Sequence, residues 1–353
     1  MVDWLAGKRM KGTSSERTSL STTALGGSGV GGWVELGRYT AGTTTTNLSV
    51  SSLPNKRYYM ILENVLVSSD ISHNQITFNS DTGSNYYQRT SVDGGADTAG
   101  GNTTYIENQS PDGTPHFLVG YIANYASNEK MLLYHSVKQS TAGAGTAPRR
   151  YEKVAKWTNT SNAFNKWNTY KNTAAAGSEV VVLGWDPADS HTSNFWQELA
   201  SVQLGGAGDD ISTGTITAKK YLWVQAYFED SGGAINQEIT FNNDTGNNYA
   251  VRHTFDGTAD TTSTSRANGF IGYGGVASPN FLNFFIINNT SNEKLVIGHD
   301  VTQNTAGAGT APHRAEAVFK WTNTSNQITE IDFHNSAAGS YGTNTIIKVW
   351  GAD

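Results

Sequence analysis

The stretch Ile76-Thr-Phe-Asn-Ser-Asp-Thr-Gly-Ser-Asn-Tyr86 returns 163 positions later as Ile239-Thr-Phe-Asn-Asn-Asp-Thr-Gly-Asn-Asn-Tyr249. Each copy reads as a short strand, a polar turn cluster and the start of another strand. Asp and Gly in the cluster suit the positive φ or tight-turn geometry of a hairpin. The same offset of 163 joins Trp33-Val-Glu-Leu36 to Trp196-Gln-Glu-Leu199, and Asp93-Gly-Gly-Ala-Asp97 to Asp256-Gly-Thr-Ala-Asp260. At an offset of 164, Ser127-Asn-Glu-Lys130 matches Ser291-Asn-Glu-Lys294. Thr141-Ala-Gly-Ala-Gly-Thr-Ala-Pro148 likewise matches Thr305-Ala-Gly-Ala-Gly-Thr-Ala-Pro312, and Lys156-Trp-Thr-Asn-Thr-Ser-Asn162 matches Lys320-Trp-Thr-Asn-Thr-Ser-Asn326. The register slips by a single residue over the whole repeat, which marks a tandem duplication.

Each copy is far longer than a solenoid unit and matches one ordinary domain. The division expected is an arm over residues 1–28, a first β-sandwich over 29–189 and a second over 190–353. The polar, proline-bearing Gly184–His191 stretch forms the joint. Arg57–Val67, His116–Ile122 and Val180–Leu183 read as strands in the first copy. Tyr221–Tyr227, Phe281–Ile287 and Ile346–Trp350 answer them in the second. Turn clusters break these runs at short intervals, so the fold class expected is all-β, two tandem jelly-roll-like sandwiches. A single helical turn is expected near Asn194–Leu199. Trp157 and Trp321 are expected to seal the cores, and Arg150 and Arg314, each followed one strand period later by Glu152 and Glu316, to pair with neighbouring strands.

Composition removes several classes. The chain of 353 residues has no cysteine, which excludes disulfides, thiol catalysis and cysteine-ligated zinc. Its net charge of −6 argues against a general nucleic-acid binder. No apolar run is long enough to cross a membrane as a helix, and the N-terminus lacks the apolar region of a signal peptide. It does carry an aromatic and basic handle, Trp4, Leu5, Lys8, Arg9, Lys11 and Arg17, ahead of a Ser/Thr/Gly-rich stretch. Those residues are the candidate assembly anchor.

Motifs with chemistry are few. A duplicated Asp-Thr-Gly is what a two-lobed aspartic protease shows, with two carboxylates sharing a proton. Here polar residues flank Asp81 and Asp244, where such enzymes bury the turn between lobes. The turn reading is therefore preferred, and no catalytic residue is expected. Asp93 and Asp97, with Asp256 and Asp260, form glycine-bearing acidic loops. Ca²⁺ is the one ion they could hold, but two carboxylates fall short of the six to eight ligands required. No cofactor is otherwise expected. His135 and His299 recur at strand ends, and the histidines show no zinc-ligand clustering. Tyr86, Tyr87 and Tyr249, beside these loops, are candidates for stacking on a glycan.

The Trp-Leu-Ala-Gly-Lys-Arg-Met-Lys-Gly-Thr-Ser-Ser-Glu-Arg start is similar to that of structural proteins of marine phages and related viruses. So is the combination of Phe-Asn-x-Asp-Thr-Gly-x-Asn-Tyr, Ala-Gly-Ala-Gly-Thr-Ala-Pro and Lys-Trp-Thr-Asn-Thr-Ser-Asn. The resemblance covers nearly the whole chain and implies a location in the virion. Capsid decoration or cement, fibre and tail-associated adhesin are the roles it suggests. It implies partners among capsid-shell subunits or neighbouring copies; a closed symmetric homo-oligomer, such as a trimer, is the default for such a part. The expected function is a non-enzymatic virion protein anchored by its arm; the alternative is a carbohydrate- or receptor-binding adhesin.

Overall fold

The computed structural model describes residues 32–67, 75–108, 113–187, 189 and 194–353. The anchor residues Trp4, Leu5, Lys8, Arg9, Lys11 and Arg17 lie outside the described residues. Among those described there is no helix, and the chain is all-β. The first half contributes β1 (Val34–Thr40), β2 (Thr45–Val50), β3 (Tyr58–Val65), β4 (Gln75–Phe78), β5 (Tyr86–Val92) and β6 (Thr98–Thr103). It continues with β7 (Ile106–Glu107), β8 (His116–Ala123), β9 (Lys130–Lys138), β10 (Arg149–Trp157), β11 (Trp167–Ala174) and β12 (Glu179–Trp185). The second half contributes β13 (Gln197–Gln203), β14 (Asp210–Ser212), β15 (Tyr221–Phe228), β16 (Glu238–Phe241), β17 (Tyr249–Phe255) and β18 (Thr261–Arg266). It closes with β19 (Gly269–Phe270), β20 (Asn280–Ile287), β21 (Lys294–Thr302), β22 (His313–Trp321), β23 (Ile331–His334) and β24 (Ile346–Ala352).

The first half builds an eight-stranded sheet, β1-β12-β3-β8-β9-β10-β5-β6, and a four-stranded sheet, β2-β11-β4-β7. The second half repeats both orders with every strand number raised by twelve. Setting aside β9–β10 and β5–β6 leaves β1-β12-β3-β8 facing β2-β11-β4-β7. With those pairs set aside, every successive connection crosses between the sheets except β4 to β7, which is jelly-roll connectivity. The two extra pairs lengthen only the large sheet, so each half has one broad outer face. That breadth is what positions the site described below.

Three apolar clusters hold the molecule. Inside the first half, Tyr59, Ile61, Phe78, Leu118, Trp157 and Trp167 meet between the sheets. Inside the second, Val224, Phe241, Phe284, Phe319, Trp321 and Phe333 do the same. Trp157 and Trp321 are buried as expected. The two cores differ by a compensating exchange: Gly120 faces Tyr134 across β8 and β9, whereas Phe284 faces Gly298 across β20 and β21. One large and one small residue fill the space either way, as close packing requires. The third cluster lies between the halves, where Met60, Leu62, Phe117 and Val137 meet Tyr221, Phe285, Leu295 and Ile297. The outer faces of the two large sheets are therefore packed on each other.

Two local expectations need correction. Asn194–Leu199 forms no helical turn; Gln197 opens β13, which pairs with β24 at the sheet edge. In the repeated turn, the positive φ falls on Asn79 (53°) and Ser80 (56°), and on Asn242 (53°) and Asn243 (57°), not on the Asp and Gly. Two successive left-handed residues closed by Asp81 N–H to Phe78 C=O (2.9 Å) make a type I′ turn, but it closes no hairpin, because β4 and β5 belong to different sheets. Asp81 instead organises the residues after it. It accepts bonds from Gly83 N (2.8 Å), Asn85 Nδ2 (2.9 Å) and Trp157 Nε1 (2.6 Å). Asp244 does the same with Gly246, Asn248 and Trp321.

Candidate functional site

Side chains alternate across a strand, so the residues of β3, β8, β9 and β10 that avoid the inner core point outward. In β9, Leu132 and Tyr134 enter the core while Met131, Leu133, His135 and Val137 face out. Registered across β3, β8 and β10, these outer residues form rows. One row holds Met60, Tyr121, Leu133 and Val154, and the next holds Tyr58, Met131 and Lys156. Trp185 sits opposite Tyr58 on β12. All but Met60, which belongs to the cluster between the halves, join Trp33 in walling a groove of about 880 Å³.

The walls are aromatic and ordered. Tyr58 and Trp185 stack at 5.4 Å, and Trp33 leans on Tyr121 at 6.4 Å. Tyr87 lies against Gly101, where a Cβ would stand 2.3 Å from its ring. Its hydroxyl donates to Asn102 Oδ1 at 2.7 Å, and Lys156 rests over its face at 5.5 Å. Burial raises the Tyr121 hydroxyl well above its ordinary value. Met131, Leu133, Val154 and Tyr87 are all exposed, and a contiguous apolar surface of this kind marks an interaction site.

Beside the groove, at the junction of the halves, His135 and His299 come together with rings 4.3 Å apart. Sequence reading gave no clustering of histidines; the fold makes one by laying β9 against β21. A ligand atom from each of His135, Glu152 and His299 lies within 4.8 Å of the other two, so these residues could hold a metal. Arg150 competes for the same carboxylates. It donates to Glu152, to Glu316 (2.7 Å) and to Asp260 (2.6 Å). Burial lowers His135 to about 3 and His299 to about 4, with His299 adding to the effect on His135. Burial raises Glu152, against the pull of Arg150, and neighbouring Glu316 pushes it the same way.

The sign of the histidine effect is definite. The folded pair stays neutral below the unfolded value of about 6.5, so the unfolded chain gains protons that the folded chain does not. Each histidine thus removes up to about 1.4 kcal/mol of stability per pH unit as pH falls from 6.5 toward 4. In proton NMR, the imidazole signals of His135 and His299 are expected to stay unshifted from pH 8 to 5. Titration of either near pH 6.5 would mean the pair is open to water.

The other expected site residues fall in different places. Tyr86 and Tyr249, candidates for glycan stacking, are fully buried; the Tyr86 hydroxyl donates to the Phe78 and Asp81 carbonyls, and the Tyr249 hydroxyl accepts from Phe241 N–H. Neither is open to a ligand, because the first residue of β5 and β17 points inward. Tyr87, its neighbour, points outward into the groove. The acidic loops are turned onto cations. Asp93 accepts from Arg149 Nε (2.9 Å) and lies 3.2 Å from Arg252, while Asp260 holds Arg150. Asp256 binds His313 Nδ1 (2.8 Å), and Asp97 lies 3.8 Å from Arg89. No oxygen cage forms from them. Asp81 and Asp244 each spend their carboxylate on donors of their own half. Burial raises each, but the tryptophan, asparagine and backbone bonds outweigh it and hold both below the ordinary range. That is the state of a turn-forming carboxylate rather than of a pair sharing a proton.

The groove residues Trp33, Tyr58, Tyr121 and Trp185 escaped sequence reading. A signal was present: β3 is apolar on both faces, the pattern of a strand covered on both sides.

No protein-family model matches the sequence, and no curated protein matches it. Solved structures with a distant likeness include mouse laminin alpha1 chain domains LG4-5, at 10% identity over 91% of this chain and 90% of that one, TM-score 0.19. Neisserial surface protein A aligns at 5% identity over 80% of this chain and 99% of that one, TM-score 0.15. The turret protein A223 of Sulfolobus turreted icosahedral virus aligns at 10% identity over 90% and 96%, TM-score 0.14. Scores this low carry no argument about this chain.

Proposed function

We propose that the chain is a non-enzymatic structural protein of a virus particle, a decoration or fibre component. In this reading it is anchored through residues 1–28 and presents the outer face of its first large sheet to protein partners. The observation that carries this is the aromatic groove. Its walls are apolar and pre-formed, and its exposed floor residues Met131 and Leu133 belong to a strand, not a mobile loop. A rigid apolar face suits a protein interface better than a reacting centre. Jelly rolls occur in viral capsid and in lectin domains alike, so the connectivity agrees with the reading without assigning it.

The test is recovery with particles. In density-banded particles from a culture producing the chain, mass spectrometry is expected to find it at a fixed ratio to the shell protein, and Leu133→Glu is expected to reduce that ratio at least tenfold. Recovery of the wild type only in the soluble fraction would overturn the assignment. A glycan-binding adhesin is the second reading, favoured by the stacked Tyr58–Trp185 platform. Binding on a glycan array that is lost in Tyr58→Ala would move the assignment to it.

A further inference from the structure

We propose that the groove on the first half receives the second half of another copy of this chain, in a contact that repeats the junction between the halves. This rests on the reading of the chain as an assembly protein and names its partner.

The junction uses unlike flanks of the outer faces of two like sheets. Along the outer face of β9, Met131 and Leu133 are exposed and Val137 is buried; along β21, Leu295 and Ile297 are buried and Val301 is exposed. The duplication makes these residues equivalent in pairs, so the pattern is reversed. The first half covers with the flank bearing Phe117 and Val137. The second half receives with the flank bearing Ile297 and Val318. Leu133 and Val154 are 46% and 53% exposed where their equivalents Ile297 and Val318 are 3% and 1%. Phe281 and Val301 are 41% and 44% exposed where Phe117 and Val137 are 1% and 0%. One receiving flank and one covering flank thus stay open, on opposite halves, and both remain apolar.

The charges repeat with the faces. At the junction Arg150 holds Asp260, and Arg252 lies by Asp93. Their equivalents in the other half are Arg314, Asp97, Arg89 and Asp256, of the same residue types. Arg314, Arg89 and Asp97 have side chains more than half exposed. On the open flanks, Arg314 has the reach to meet Asp97 of a second copy, and Asp256 to meet its Arg89.

The loops follow suit. Thr141–Pro148 gives the Thr141 carbonyl to Lys320, the Pro148 carbonyl to Arg252 and the Gly143 amide to Glu293. The identical Thr305–Pro312 loop faces solvent. So, in part, do Lys156 and Glu129, the equivalents of Lys320 and Glu293. Donors and acceptors matched across one contact, with the same set at each open end paired only within its own half, as Lys156 with Glu129 and Arg89 with Asp97, are what a head-to-tail interface leaves on a single copy.

Two charge insertions at exposed sites test this. Leu133→Glu blocks the receiving flank, and Val301→Glu blocks the covering flank. By sedimentation velocity, the wild type is expected to grow beyond one chain with concentration. Each variant alone is expected to remain a single chain. An equimolar mixture is expected to form a pair and nothing larger, because one receiving and one covering flank survive between them. That mixture also shows that both variants are folded. A wild type that stays a single chain at every concentration overturns the proposal, as does association unchanged in the variants. If the wild type is a single chain but Leu133→Glu still fails to enter particles, the groove's role in the particle stands and its partner is another protein. Normal particle entry by Leu133→Glu would remove both readings.

Discussion

Replacing Arg150 by alanine is expected to lower the unfolding free energy by about 3–5 kcal/mol, the usual cost of breaking a buried ion pair from one side. Its guanidinium satisfies Asp260, whose side chain is 1% exposed, together with Glu316 and Glu152. Without it three carboxylates crowd at the junction, and only the more distant Arg252 (3.9 Å from Asp260) and the exposed Arg314 (3.4 Å from Glu316) offset their desolvation. Denaturant unfolding of the purified chain checks this. The matching change at Arg314 supplies the control. That side chain is 58% exposed, and in a single chain its loss is expected to stay within about 0.5 kcal/mol, as for an ordinary surface position. Equal effects at the two arginines would mean that the junction is symmetric, and would contradict the reversed burial of β9 and β21.

Trp321→Ala is expected to cost about 3–5 kcal/mol in the same measurement, for a different reason. The ring is fully buried against Phe241 (5.8 Å) and Tyr249 (6.5 Å), and its removal leaves a cavity between the sheets of the second half. Its Nε1–H also donates to Asp244 Oδ2 at 2.7 Å, so the turn carboxylate loses one of the bonds that hold it ionised. Trp321→Phe keeps most of the volume and loses only the bond, and is expected to cost less than half as much. A loss below about 1 kcal/mol for the alanine variant would place the indole outside the core.

The fold was legible where local pattern and global packing agree. The apolar runs at Tyr58–Val65 and His116–Ala123 became adjacent strands, because β-branched and aromatic residues suit a pleated surface buried on both faces. The duplication carried over into sheet order strand for strand. The Asn194–Leu199 segment misled because its local composition allows a helical turn, whereas the free edge of β24 offers it a full set of backbone partners. Tyr86 and Tyr249 misled for a related reason. An aromatic residue just after a polar loop reads as exposed, yet its orientation depends on which face of the sheet the first strand residue meets.

The site was less legible than the fold. Which flank of a sheet is covered depends on how two sheets dock, and nothing in the spacing of Leu133 or Ile297 encodes that. The two sequences are alike there, Met-Leu-Leu-Tyr-His against Leu-Val-Ile-Gly-His. Only their burial tells them apart. The pairing of His135 with His299 is likewise a property of docking, since the residues lie 164 positions apart.

The open flanks are the centre of this account of function, and the mass of the chain in solution tests them most directly. Light scattering after size exclusion, over a wide range of loading concentrations, is to be run on the full chain and on a version lacking residues 1–28. Each is expected to rise above its own one-chain mass, 37.9 kDa for the full chain, as concentration increases, because the flanks lie on the sheets and not on the arm. A mass of one chain at every concentration for both would contradict it.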